Sequence, residues 1–113
     1  MNRTDRELLT DALAHLDLLS GHATAGEMNS QLVLDAMCMR LSAALEVLHR
    51  LDEPTRERLF GGNWRLMWGM RNRIAHGYLL MDPAIILRTV AIDVPGIVTA
   101  IRTELDDPPS ASD

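Results

Sequence analysis

Apolar residues recur at spacings of three and four along most of the chain, which is the period of an amphipathic α-helix. The capping-box spacing of Thr4-Asp5-Arg6-Glu7 predicts the start of a first helix, and Gly21 with the small polar stretch to Gly26 is predicted to end it. Asn29 or Ser30 can cap a second helix, whose apolar face extends to Leu51. No segment alternates convincingly between apolar and polar residues, so the pattern predicts an all-α fold.

The middle of the chain predicts two more helix starts. Asp52-Glu53-Pro54 ends the second helix, and residues 55–60 are predicted to form one short turn. A third helix is predicted from Asn63 to about Leu80. The next helix begins at Asp82-Pro83, because an N-cap aspartate followed by proline is typical of a helix start.

The last elements complete a bundle of four to five helices in one domain. Asp93-Val94-Pro95 is predicted to break or kink the chain before a final helix that ends near Leu105. We therefore assign residues 1–106 to the domain and predict that the polar segment 107–113 is disordered. A bundle of 113 residues often completes its core by pairing with a second copy, so a dimer is expected.

The charge distribution locates a candidate anion site. The formal net charge of −5 does not favour a nucleic-acid binder, because phosphate contacts normally supply much of the affinity. Between Gly61 and Ile92, however, four arginines face a single aspartate, a local balance of +3 that leaves −8 for the rest of the chain. Any anion-binding site is predicted in this segment, whose arginines are Arg65, Arg71, Arg73 and Arg88.

The sequence also predicts a cytoplasmic protein without a membrane span. No apolar stretch approaches the roughly 20 residues that a transmembrane helix requires, and the N-terminus lacks the apolar segment of a secretory signal. Cys38 is the only cysteine, which excludes an intramolecular disulfide and a thiolate zinc cluster. Its apolar surroundings indicate a buried, unreactive thiol.

Five side chains capable of chemistry lie within eight residues of the third predicted helix: Arg71, Asn72, Arg73, His76 and Tyr78. At about 100° per residue, Asn72 and His76 lie about 40° apart, so the amide could orient the imidazole or share its ligand. Arg71 and His76 diverge by about 140°. A single straight helix cannot easily direct both at one phosphate, which predicts a composite site formed by two copies.

Two glycines flank this cluster. Gly69 and Gly77 each cost a helix about 0.8–1 kcal/mol relative to alanine. Close approach by another backbone would explain both. A loose helix at Gly69 and a C-cap at Gly77 are the alternatives.

The segment Arg71-Asn72-Arg73-Ile74-Ala75-His76-Gly77-Tyr78 resembles the R-x4-H-x-Y signature of HepT-like toxins of the HEPN superfamily. The resemblance extends over about residues 36–101. The flanking positions that share it are Trp64, Gly69-Met70, Met81-Asp82-Pro83 and Asp93-Val94-Pro95. Family members often carry a glutamate in the middle of the second helix, where this chain has Ser42-Ala43-Ala44, so the place of that acid is open.

The resemblance implies a metal-independent endoribonuclease without a cofactor, the toxin of a type II or type VII-like toxin–antitoxin pair. It implies a homodimer or larger assembly that cleaves tRNA or mRNA, with Arg71 and His76 catalytic. It further implies a partner resembling a minimal nucleotidyltransferase, which neutralises the toxin by AMPylation of Tyr78. Asn72 would hold the histidine or the phosphate, and Arg73 would position RNA.

The side chains of this segment can carry out RNA cleavage without a metal ion. RNA supplies its own nucleophile in the 2′-hydroxyl, so His76 can move a proton while Arg71 stabilises charge on the phosphate. The alternative function is a non-catalytic docking module for a nucleotidyltransferase. A plain helical dimerisation bundle would leave the polar cluster unexplained.

Each remaining candidate also has a structural interpretation. Tyr78 could cap the edge of the bundle with its hydroxyl in water. Trp64 and Trp68 are predicted to be core or dimer contacts rather than base-stacking platforms, and Arg88 a solvated helix residue rather than an RNA contact. The histidines predicted to be structural are His15, His22 and His49.

Overall fold

The computed structural model describes residues 3–25, 30–77 and 81–107, which form five helices. These are α1 (Arg3–Ala25), α2 (Gln31–His49), α3 (Glu53–Phe60), α4 (Asn63–Gly77) and α5 (Pro83–Asp106). None of the described residues lies in a β-strand, so the predicted all-α bundle is confirmed. The predicted tail lies outside the described residues except for Asp107.

The α1–α2 pair is the framework of the bundle. The Asp5 carboxylate, at the start of α1, is only 2% exposed. It accepts hydrogen bonds from the backbone N–H of Asp52 at 3.2 Å and from the Thr55 hydroxyl at 3.1 Å. Because Asp52 follows the end of α2, these bonds show that α1 and α2 are antiparallel. These two hydrogen bonds satisfy the hydrogen-bonding requirement of the buried carboxylate.

Leucine dominates the core between these helices. Burial of each such side chain contributes about 1.5–3 kcal/mol. The largest fully buried residues are Leu9, Leu16, Leu19, Met37, Leu41, Leu45, Leu48, Ile86 and Ile101. Cys38 is buried among them, and burial, with a contribution from Asp35, raises the pKa of its thiol to about 11. This agrees with the predicted unreactive thiol, since thiolate is the reactive form.

The first helix passes through Gly21 and is described as far as Ala25, within the stretch to Gly26 in which its end was predicted. One glycine costs a helix only about 1 kcal/mol relative to alanine. Ala23, two residues after Gly21, packs against the core. Tertiary packing therefore outweighs the local preference of Gly21.

α3 is longer than the predicted single turn. It begins at Glu53, with Pro54 in its first turn, and ends where Gly61 adopts a φ of +55°. That left-handed conformation is inexpensive only for glycine. Both guanidinium Nη atoms of Arg58 donate to the Glu104 carboxylate, at 2.9 and 2.7 Å, which ties α3 to the end of α5.

α5 begins as predicted but does not break at Asp93-Val94-Pro95. The Asp82 side chain accepts a hydrogen bond from the Ala84 N–H at 2.9 Å, which confirms the N-cap. Within α5, residues Thr89–Asp93 form a π-helical turn, in which the Val94 N–H donates to the Thr89 carbonyl. This wider turn accommodates Pro95, which has no N–H and would clash with the carbonyl four residues earlier in an α-helix.

By length and composition alone, α5 could cross a membrane. Its most apolar window has a mean hydropathy of 1.8, and 33% of that window is buried inside the protein. Core helices of helical bundles meet the same criterion, and Ile86, Ile97 and Ile101 of α5 pack in the core. The absence of a membrane span thus stays a prediction.

Candidate functional site

α4 carries the candidate residues, and its inner face packs against the core. Ile74 is buried in the core, and Met67 and Met70 pack against it. Successive residues are separated by about 100° around the helix axis, so the residues on the opposite side of α4 point away from the core. Arg65, Arg73 and His76 are all exposed there.

Arg71 is the most constrained of the candidate residues. Its Nε donates to Glu46 Oε1 on α2 at 3.0 Å, and its Nη2 also contacts that oxygen. Its Nη1 donates to the Asn72 amide oxygen at 3.2 Å. The Arg71 side chain is 24% exposed and the Glu46 side chain 50% exposed, so the ion pair lies at the edge of the bundle, in reach of solvent.

Glu46 was not identified from the sequence as a candidate. It follows the apolar run Ser42-Ala43-Ala44 by two residues and supplies a carboxylate to Arg71 from the neighbouring helix. No spacing rule within one helix could have found this pair, because the two residues lie 25 positions apart on different helices.

Of the two roles expected of Asn72, orienting the His76 ring is not seen within the described residues, and sharing a ligand with His76 stays a prediction. The Asn72 oxygen is engaged by Arg71. The His76 ring is exposed, and no other side chain in the described ranges forms a hydrogen bond or ion pair with it. Within one chain, therefore, Asn72 supports the arginine rather than the histidine.

The basic segment presents cations to solvent. Arg65, Arg73 and Arg88 are exposed, as predicted for Arg88, and none forms an ion pair with a carboxylate of residues 3–25, 30–77 or 81–107. Unneutralised arginines of this kind attract phosphate. The positive balance predicted between Gly61 and Ile92 is thus available at the surface, although the whole chain is acidic.

Trp64 and Trp68 lie one turn apart on α4 and stack with His49, the last residue of α2. The centroid of the His49 ring is 4.2 Å from that of Trp68 and 6.1 Å from that of Trp64. The two indoles are 5.8 Å apart with an interplanar angle of 20°. Both tryptophans also pack against the core, as predicted. His49, which was expected to be structural, stacks on these tryptophans and so belongs to an aromatic group that includes Trp68, the ring beneath Arg71.

A guanidinium lies over each tryptophan. The Arg56 Cζ is 5.1 Å from the Trp64 ring centroid, and the Arg71 Cζ is 4.9 Å from the Trp68 centroid. Such cation–π contacts contribute about 0.5–1 kcal/mol at exposed sites. Arg56 is held in place by a hydrogen bond of 2.9 Å from its Nη1 to the His49 carbonyl.

On the other side of α4, an apolar groove of about 370 Å³ separates it from α5. Leu66 and Ile92 line this groove, although they are 74% and 62% exposed. Large apolar side chains exposed together often mark a contact surface.

The two glycines of α4 have open surroundings among the described residues. A Cβ added at Gly69 or Gly77 would meet no atom of residues 3–25, 30–77 or 81–107 within 4 Å. None of these residues makes the close backbone approach expected there, and approach by the backbone of a second copy stays a prediction.

Two further observations concern metal binding and Tyr78. Among the residues that the structure describes, no group of three or more His, Cys, Asp or Glu side chains could hold a metal ion. Tyr78 lies outside the described residues, so its expected role as a modification site rests on the sequence.

Comparison with known proteins gives one match. The family model described as "Ribonuclease HepT-like" matches residues 9–103, which includes Arg71 and His76. No curated protein and no solved structure shows significant similarity to the chain.

Proposed function

This chain belongs to the HepT-like ribonuclease family, and we therefore propose that it is a metal-independent endoribonuclease, the toxin of a type II or type VII-like toxin–antitoxin pair. The observation that carries this proposal is the arrangement of Arg71. Glu46 of α2 and Asn72 of α4 orient its guanidinium. Arg71 itself lies on α4, the helix that also presents His76 to solvent.

The hydrogen-bonding capacity of Arg71 suits a phosphate. A guanidinium has five N–H groups. One on Nε and one on Nη2 are directed at Glu46, and one on Nη1 at Asn72. The two remaining N–H groups can bind phosphate oxygens, and the fixed orientation lowers the entropy lost when they do so. Arg71 would then stabilise the charge that grows on the phosphate in the transition state.

His76 would transfer the protons. The reaction uses the 2′-hydroxyl of RNA as the nucleophile: its oxygen attacks the adjacent phosphorus, its proton leaves to a base, and the 5′-oxygen of the next nucleotide departs with a proton. A histidine can accept or donate these protons near neutral pH. The products would be a 2′,3′-cyclic phosphate and a 5′-hydroxyl, and Arg73 would contact the RNA backbone nearby.

A homodimer would bring the two catalytic groups to one phosphate. Arg71 is engaged beside α2, whereas His76 projects about 140° away around α4. The apolar groove with Leu66 and Ile92 at its surface adjoins α4 and offers a surface for a second copy. Arg71 of one protomer and His76 of its partner could then contact the same scissile phosphate.

Regulation would come from a nucleotidyltransferase partner that attaches AMP to Tyr78. Tyr78 is two residues beyond His76 in the chain. A phosphate on its side chain would place negative charge beside the RNA site and could occupy Arg71 or Arg73. The modified toxin would bind RNA poorly.

The decisive test is RNA cleavage by purified, unmodified protein in excess chelator. Wild type is compared with the Arg71→Ala and His76→Ala variants on tRNA and mRNA. Loss of a general acid–base lowers the rate by about 10²–10⁴-fold, and loss of Arg71 should be comparably severe. Arg71→Lys should restore activity only in part, because an ammonium lacks the planar fork.

Arg102→Ala is the control, because it removes an exposed arginine that lies outside the basic segment between Gly61 and Ile92. It should retain most of the cleavage activity. Equal cleavage by all variants would identify a contaminating nuclease and refute the assignment of Arg71 and His76. No cleavage by the wild type would leave the docking-module function instead.

A further inference from the structure

A single surface, formed by His49, Arg56, Trp64, Trp68 and Arg71, combines parallel rings with two guanidinium groups. We call it the aromatic–arginine surface. It joins the end of α2, the first half of α3 and one side of α4. Arg71, at one end, belongs to the proposed catalytic site, whereas Arg56, at the other end, does not.

The rings of His49, Trp64 and Trp68 do not lie one above another in a single straight stack. The interplanar angles are 12°, 19° and 20°, so the three rings are nearly parallel. In a straight stack, the longest centroid distance would equal the sum of the other two, about 10 Å, but it is 6.1 Å. The centroids therefore form a triangle, and the rings are offset from one another instead of covering both faces of a central ring.

Packing alone does not account for this group. The chain has four aromatic residues in all, counting Trp, Tyr and Phe, and both of its tryptophans are here. They are half-buried, and His49 is exposed. Flat side chains that remain accessible at a surface, with arginines beside them, are the groups that bind unpaired nucleotides, because the rings stack on bases and the cations contact phosphates.

The hydrogen bonds of the surface favour the same ligand. Arg56 is anchored to the His49 carbonyl, and Arg71 to Glu46 and Asn72, so both cations are held at the rings rather than free in solvent. No acidic residue pairs with Arg56 within the described part of the chain. A preformed surface of this kind loses little conformational entropy on binding.

We propose that the aromatic–arginine surface binds unpaired bases of single-stranded RNA next to the phosphate that Arg71 contacts, with Arg56 at the distal phosphate. This inference rests on the proposed ribonuclease function for its choice of RNA as ligand. It explains why cleavage would require single-stranded segments, since bases within a duplex expose no face for stacking. Trp64, His49 and Arg56 are then binding residues outside the catalytic signature.

Tryptophan fluorescence tests the proposal directly, because the only two tryptophans belong to the surface. The full-length protein is titrated with a 2′-O-methyl oligonucleotide of about ten nucleotides, which lies within the usual site size and cannot be cleaved. Stacking of bases should quench the emission. An abasic oligomer with the same number of phosphates should quench little and bind more weakly.

Substitutions at the end remote from Arg71 separate stacking from charge. Trp64→Leu should weaken oligonucleotide binding about 5- to 140-fold, which is the usual effect of losing one base–aromatic stack. Trp64→Phe should retain part of the affinity, and this variant guards against a loss caused by unfolding. Arg56→Gln should weaken binding more than Arg65→Gln, the matched loss of one charge on an adjacent part of the surface.

Several results would overturn the proposal. Equal binding and quenching by the abasic oligomer and the oligonucleotide, or an equal loss of binding in the two glutamine variants, would show that charge alone holds the RNA. Binding seen by anisotropy of a labelled oligonucleotide without tryptophan quenching would place the RNA elsewhere. A change of emission with protein concentration alone would assign the surface to contact between copies.

Failure of this proposal and failure of the ribonuclease function have different signatures. RNA cleavage that depends on Arg71 and His76, without quenching by the oligonucleotide, would sustain the nuclease and refute the stacking surface. Base-dependent quenching by a protein that cleaves no RNA would sustain the surface and refute the nuclease.

Discussion

The guanidinium of Arg71 on α4 is bound by the carboxylate of Glu46 on α2, which lies 25 positions earlier in the chain. The pair has two opposite consequences for an RNA substrate. Glu46 fixes the direction of the guanidinium, but its negative charge also repels the phosphate that the guanidinium would bind. Substitutions that retain or remove the oxygen acceptor can separate these effects.

We predict that Glu46→Gln tightens RNA binding and largely retains kcat, because the amide oxygen still accepts hydrogen bonds while the repulsion is gone. Glu46→Ala should also bind RNA more tightly, but its kcat should fall about tenfold, equivalent to roughly 1.4 kcal/mol of lost positioning. Single-turnover cleavage and KM measurements distinguish the two variants.

Glu57→Ala is the control, since it removes an exposed acid from α3 that forms no ion pair within the described residues. It should leave kcat unchanged. Equal kcat values for Glu46→Gln and Glu46→Ala would show that the carboxylate does not position Arg71.

We predict that Leu66→Asp weakens the dimer by about tenfold or more, because a charge buried without a partner costs more than 1.4 kcal/mol. Since Leu66 is 74% exposed, the fold of the single chain should survive. Light scattering over a range of concentrations measures the effect. Leu32→Asp, at a residue 78% exposed on α2, should leave the dimer intact. A wild-type protein that is monomeric at micromolar concentration would contradict the composite site.

We predict a pH-dependent contribution of Glu104 to stability. The hydrogen bonds from Arg58 lower the pKa of Glu104 below its ordinary value of 4.5, against the opposing effect of burial. A carboxyl group whose pKa is lower in the folded state stabilises the fold above its unfolded-state pKa and loses that effect as the pH falls below it. Glu104→Gln should therefore cost about 0.5–1 kcal/mol of unfolding free energy at pH 7.

The same substitution should cost much less at pH 3. Denaturant unfolding of both proteins at the two pH values measures the difference. Glu7→Gln is the control, because the Arg3–Glu7 pair is 93% and 66% exposed and should contribute little at either pH. A cost of Glu104→Gln that does not change with pH would show that packing, not charge, is responsible.

We predict that co-expression with a cognate nucleotidyltransferase adds AMP to Tyr78 and abolishes RNA cleavage. The added phosphate repels the RNA backbone and competes for the arginines of α4. Intact-mass measurement detects the adduct, and Tyr78 is the only tyrosine in the chain. An adduct that persists in Tyr78→Phe would exclude this residue as the acceptor.

The helix pattern could be predicted from the sequence where local signals agree with packing. The Asp82-Pro83 start of α5 and the beginning of α4 at Asn63 are examples. Gly21 alone does not interrupt α1, because helix propensity is a weak effect that packing in the core overrides. Pro95 was a real obstacle to an α-helix, but the π-helical turn removed the clash without ending α5.

The candidate site could be predicted only as far as it lies on one helix. The cluster from Arg71 to His76 follows from its spacing on α4. Glu46, which binds Arg71, and His49, which stacks on Trp68, come from α2. Their contacts depend on the relative rotation and offset of the two helices, which hydrophobic periodicity does not determine. The divergence of Arg71 and His76, by contrast, followed from helix geometry alone.

The π-helical turn also affects how the length of the protein can change. In that turn the Val94 N–H bonds to the carbonyl five residues back, whereas an α-helix bonds four residues back. The turn thus holds one residue more than an α-helical path between the same two ends. Deleting one residue from 89–93 would leave a regular α-helix that keeps Val94, Ile97 and Ile101 on the core side, but it would set Pro95 against the carbonyl four residues earlier. Such a deletion should therefore be tolerated only when Pro95 is replaced as well, for example by alanine.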